Sequence, residues 1–194
     1  MYSGMDMDAL FESVYKKLSK PDFGKGLGGE LPLFIQPVPP EKQLELAGQV
    51  DRLVARLKKK NIEAYAINLY DLCMEILEEE GILETILNEE GTFPEDAVIS
   101  ALEGELDIRT VLIPRIKELI TEQAPDFVFI HGVGNVYPFI RSHSILNNID
   151  ELAKGCNLVL FFPGEYNRLQ LNLFGLIADE NYYRGHNLDE INEE

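Results

Sequence analysis

The sequence predicts an α/β domain of three layers, with helices on both faces of a central, mainly parallel sheet of about five strands. Short apolar runs at 31–36, 62–69, 127–130 and 158–162 alternate with longer stretches of helical periodicity, as when helical crossovers join parallel strands. Several of these runs are apolar almost throughout, as strands buried on both faces are. The 194 residues, 45% hydrophobic and 26% charged, suit one domain, 1–194, with a sizeable core.

In chain order, residues 5–20 place Leu10, Phe11, Val14, Tyr15 and Leu18 on one side of a short helix that stops before Pro21. DFGKGLGGELP then holds four glycines in six positions. It is not a P-loop, which needs Gly-Lys-[Ser/Thr] opening a helix after a strand; here Lys25 precedes the later glycines and a strand follows. A flexible connector is expected. After the strand at 31–36, Pro40 is placed to open a helix over 41–60, with Leu46, Val50, Leu53 and Leu57 on its inner face. Lys58, Lys59 and Lys60 suit the negative pole of that helix. The loop after the first strand, 36–43, has no glycine, which argues against phosphate cradling there.

Residues 71–124 read as an acidic helical insert at the side of the sheet, broken near Gly81, with Pro114 kinking its last helix or opening that helix's second half. The strand at 127–130, a turn bearing Gly132 and Gly134, a helix from Pro138 to about Ala153 and the strand at 158–162 follow. If these strands are parallel neighbours, their polar loops leave at one carboxyl edge, where ligands and partners bind in open α/β sheets. Residues 169–177 alternate as a half-exposed edge strand. The acidic tail, about 189–194, is expected to fray.

A net charge of −17 disfavours direct nucleic-acid binding, which rests on neutralising phosphates, and leaves a basic partner open. No apolar run approaches the ~20 residues of a membrane span, and the start lacks a signal pattern; a cytoplasmic address is expected. Cys73 and Cys156 are isolated in apolar contexts, so neither a disulfide nor zinc is expected.

The residues suited to chemistry gather around the loops at the carboxyl edge. His131, Gly132, Gly134 and Asn135, followed by Pro138, offer a weak phosphate or nucleotide site that Arg141 would complete. His131, His143 and Glu165 could form a metal cluster for hydrolysis. No nucleophile with a paired base accompanies them, so no catalytic residue, metal or cofactor is assigned. Arg141, Arg168 and Arg184, flanked by Tyr137, Tyr166, Tyr182 and Tyr183, have the composition of an interaction hot spot. Internal ion pairing of these arginines with Glu165 or Asp179 is the plainer alternative.

HGVGNVYPFIRSHSILNN, LVLFFPGEYN, LQLNLFG and NYYRGHNL, in this order, resemble the hallmark run of the BrxB family (the DUF1788 domain) of bacterial BREX phage-exclusion systems. GKGLGGELPLFI and AINLYDL resemble it too. The resemblance implies a core component of an antiviral defence system that couples methylation of host DNA to a block of phage replication. It implies no defined catalytic activity. Its implied partner is PglZ, the alkaline-phosphatase-superfamily protein of the same systems, with other BREX subunits, an ATPase and a methyltransferase among them, in larger assemblies. The expected fold resembles a P-loop NTPase core without Walker motifs. The expected function is that of a non-enzymatic scaffold that binds and organises or regulates PglZ, with a homodimer compatible. The alternatives are a nucleotide- or phosphate-responsive element at the Gly132/Gly134 turn and a metal-assisted hydrolase.

Overall fold

The computed structural model describes residues 6–25, 27–28, 30–88, 91–152, 155–167, 170–179 and 185–192. Its sheet is built from β1 (Leu33–Val38), β2 (Ala64–Asn68), β3 (Phe127–His131), β4 (Asn157–Tyr166), β5 (Leu171–Leu173), β6 (Ile177–Asp179) and β7 (His186–Asn187). The spatial order is β2-β3-β4-β1-β7, and every pairing along it is parallel. Ile67 sits opposite Ile130, Ile130 opposite Leu160, and Ile35 opposite Leu160. β5 and β6 form an antiparallel hairpin on the outer half of β4. The expected mainly parallel sheet is present. The strand joined to β1 by the first crossover, β2, is separated from it by β3 and β4.

Alternate side chains feed two cores. Phe34, Val38, Phe129, Val159 and Phe161 point to the face covered by α1 (Met7–Leu18) and α2 (Gln43–Lys58). Leu33, Ile35, Val128, Ile130, Leu158 and Leu160 point to the opposite face, covered chiefly by α3 (Leu69–Glu79) and α6 (Ile113–Gln123). Each fully buried Leu, Ile, Val or Phe contributes about 1.5–3 kcal/mol. The helical insert, which also holds α4 (Ile82–Asn88) and α5 (Glu95–Glu105), packs on this face together with Ile140, Ile145, Leu146, Ile149 and Leu152 from the segment after β3. Gly81, at φ 71°, separates α3 from α4. Pro114 falls in the first turn of α6, where its missing N–H has no partner to lose.

Two boundaries differ from expectation. The helix after β3 is α7 (Ser142–Leu146), not one starting at Pro138. Residues 133–140 run as turns, the Tyr137–Pro138 peptide is cis, and Arg141 is extended at φ −99°, ψ 138°. The single edge strand expected at 169–177 is the β5–β6 hairpin. Its turn carries Phe174 and Gly175 at φ 57° and 71°, and Leu176 N–H donates to the Leu173 carbonyl at 3.0 Å, a pattern that reverses the chain tightly.

The acidic tail is held rather than loose through Asn192. Lys17 Nζ donates to the Leu188 carbonyl at 2.8 Å, Gln36 Nε2 to Asp189 Oδ1 at 2.9 Å, and Lys20 Nζ to the Asn192 carbonyl at 3.3 Å. Cys73 and Cys156 are free and buried, and burial pushes the Cys73 thiol up to about 12. That keeps it protonated and unreactive. Among the described residues no helix is long and apolar enough to cross a membrane.

Candidate interaction site at the carboxyl edge

Because β1, β2, β3, β4 and β7 are parallel, the loops that follow them open on one side of the sheet. The ends of β2 and β3 are locked together. Asn68 Oδ1 caps α3 by accepting from Tyr70 N–H at 3.1 Å, and its Nδ2 donates to Asp71 at 2.7 Å. Gly132, at φ 81°, follows β3 so closely that a Cβ there would collide with Asn68 Oδ1; only glycine fits. At Gly134 a Cβ would collide with Gln43 Oε1 and lie 2.9 Å from the Phe174 ring and 3.0 Å from Pro163. The start of α2, the end of β4 and the hairpin turn thus fill the space beside this glycine turn. A phosphate there would have to displace them.

His131 ends β3 and is buried. Burial pushes its imidazole below the ordinary histidine range, against the opposite pull of Asp51 and Asp71, so the folded state favours the neutral ring. The unfolded chain takes up a proton near pH 6.5 and the folded one only at lower pH, so stability is intact above about 6.5 and declines as pH falls below it. In denaturant titrations between pH 7.5 and 5, His131→Asn is expected to flatten that decline relative to the parent protein. An unchanged slope would show that other groups carry it.

The remaining sequence candidates divide into separate places. Asn135 is exposed and its N–H donates to the Gly132 carbonyl at 3.0 Å, while Tyr137 is partly exposed on the same loop. Glu165 is exposed on β4 opposite Asn172. Tyr166 is buried: its hydroxyl donates to the Gly185 carbonyl at 2.8 Å, and its own carbonyl accepts from Asn187 Nδ2 at 3.1 Å. It ties the end of β4 to β7. Arg168, Tyr182, Tyr183 and Arg184 lie outside the described residues.

Arg141 and His143 face a different neighbour. With Arg109, Asn147 and Asn148 they line a cleft of about 650 Å³ between the α5–α6 junction and α7. Asp107 shapes its far wall by capping the turn at 108–112, accepting from Arg109 N–H at 3.0 Å and Thr110 N–H at 2.8 Å. These bonds, those from Thr110 foremost, hold its carboxyl below the ordinary range. Arg141 is exposed and joins none of the ion pairs among the described residues; the other two arginines expected to pair with Glu165 or Asp179 lie outside those residues. Among the described residues no three His, Cys, Asp or Glu side chains gather closely enough to hold a metal. His131, His143 and Glu165 are therefore not brought together.

Sequence reasoning missed a more coherent feature. Five of the large apolar side chains exposed to solvent sit at this edge: Leu44 (98% exposed), Tyr70, Tyr137, Leu176 (85%) and Ile177. They lie at the start of α2, the start of α3, the loop after β3 and the hairpin that extends β4. Leu44 was detectable, because it falls opposite the Leu46, Val50, Leu53 and Leu57 stripe of its helix.

Residues 65–188 match the family described as BREX protein BrxB. The chain belongs to the BrxB family. A BREX protein BrxB of Bacillus cereus (strain H3081.97) is 35% identical over 182 residues, covering 91% of this chain and 94% of that protein. Another, of Escherichia coli O9:H4 (strain HS), is 25% identical over 163 residues, 84% of this chain and 80% of that protein. The BrxB match runs from β2 to just past β7, so it contains Tyr70, Tyr137, Leu176 and Ile177, while Leu44 precedes it. No solved structure matches.

Proposed function

We propose that this chain is a non-enzymatic interaction subunit of a BREX phage-defence system, which binds PglZ through the carboxyl edge of its sheet and organises or regulates it. The observation that supports this reading is the gathering of Leu44, Tyr70, Tyr137, Leu176 and Ile177, all exposed, at that edge. Apolar groups left in water at one place mark contact surfaces. The glycine turn between them is filled by Gln43, Phe174 and Pro163, which suits a packed docking face better than an open pocket. Family membership supplies the BREX setting. Co-elution of the chain with PglZ from its own system tests the reading. A second copy of the chain is the competing occupant of the face, and light scattering of the chain alone separates the two.

One observation favours a second reading, a phosphate- or nucleotide-responsive element. Arg109 and Arg141 share the cleft with His143, and paired guanidiniums match phosphate geometry. The site would then be this cleft rather than the glycine turn. On this reading a nucleoside triphosphate at millimolar concentration is expected to raise the melting temperature of the parent protein but not of Arg109→Ala/Arg141→Ala. No shift with any phosphorylated ligand would remove it.

A further inference from the structure

The insert between β2 and β3 presents a second surface that neither core uses. α4 and α5 contain no fully buried residue. They lean on the core through Ile82, Leu83 and Leu102. Ile86, Leu87, Phe93, Val98 and Ile99 pack in neither core cluster, and Leu87 and Phe93 are 63% and 54% exposed. Ile86, Val98 and Ile99 are half-buried, so Leu87 on α4 and Phe93 on the link between α4 and α5 are the apolar side chains left in water, and they mark a face that lacks its cover.

The charge of the segment is one-sided. From Asn61 to Ile108 the chain carries fourteen Asp and Glu and no Lys or Arg, so most of the net −17 arises here. Arg115, from α6, reaches Glu79 at 2.9 Å at the base of the insert. On α4 and α5 themselves, Glu84, Glu95, Asp96 and Glu103 are exposed around the apolar residues.

We propose that the α4–α5 face docks a protein partner presenting a basic, partly apolar groove, at a place separate from the carboxyl edge. Charge selects this occupant. An acidic rim steers a basic surface toward it and repels both nucleic acid and a second copy of this acidic chain. Leu87 and Phe93 are the anchors, and the surrounding carboxylates set register and selectivity. With two docking faces the subunit can bridge two partners. The inference stands whether or not the carboxyl edge binds PglZ.

The test co-expresses the full chain with the other subunits of its system, purifies it, and reads the bound subunits by native mass spectrometry. A carbodiimide, which joins carboxylates directly to lysine amines, is then applied. The expected result is crosslinks from Glu84, Glu95, Asp96 or Glu103 to lysines of another subunit. Leu87→Ser/Phe93→Ser is expected to retain about tenfold less of that subunit or lower still, with its melting temperature unchanged, as loss of anchor residues predicts. Leu44→Asp/Leu176→Asp is expected to keep it. The proposal is overturned if the wild-type chain retains no other subunit, or if Leu87→Ser/Phe93→Ser keeps every subunit at the wild-type level. It is also overturned if the crosslinks reach only this chain or a second copy, or if both double variants lose the same subunit alike.

Discussion

Leu44→Asp/Leu176→Asp is expected to abolish co-elution with PglZ while leaving the fold intact. Both side chains stand almost wholly in water in the isolated chain, 98% and 85% exposed, so aspartate removes no packing, and surface changes of this kind usually stay within about 0.5 kcal/mol per site. In a complex the same positions would be desolvated. An unpaired carboxylate buried at an interface costs several kcal/mol, and two of them would weaken a micromolar complex beyond detection. Circular dichroism and a melting curve establish that the variant is folded, and size exclusion with light scattering then reads binding. A folded variant that still co-elutes would move PglZ to another face.

Phe161→Ala carries the largest expected effect on stability. Phe161 is completely buried in β4, stacks on Phe11 of α1 at 5.2 Å between ring centroids, and meets Phe129 of β3 edge-on at 5.8 Å. Its removal leaves a cavity at the junction of helix layer and sheet and is expected to cost about 3–5 kcal/mol. For a domain of this size that lowers the melting temperature by about 10 °C. Phe161→Leu, which keeps most of the volume, is expected to cost less than half as much. Equal losses for the two variants would mean that the aromatic stack, not volume, holds α1 in place.

The layered fold was legible because its main strands are apolar almost throughout and its helices repeat on one face. Strand order was not legible. It depends on pairings such as Leu33 with Leu158, more than a hundred residues apart, which no local pattern encodes. β7 is two polar residues, His186 and Asn187, and lacks any apolar signal. The split of the run at 169–177 rests on Phe174 taking a left-handed conformation, which bulky side chains seldom do; only Gly175 hinted at it. Pro138 looked like a helix opener, yet the extended backbone of Arg141 sets the start of α7 later.

The candidate site was legible in part. The loops after β3 and β4 do share one edge, as their parallel pairing requires. Arg141 and His143, read as members of that edge, instead share a cleft with Arg109, a partner some thirty residues earlier whose proximity depends on how the insert packs. Gly132 and Gly134 marked close approach correctly, but what approaches is Asn68, Gln43, Phe174 and Pro163. A glycine pair signals a tight space without saying whether a ligand or the protein itself fills it.

The central claim is tested most directly by size exclusion with light scattering on the unmodified chain mixed with PglZ from the same BREX system, at micromolar concentration and physiological salt. The account predicts a single peak whose mass equals the sum of the two proteins in a fixed ratio. Two separate peaks at their individual masses would contradict it.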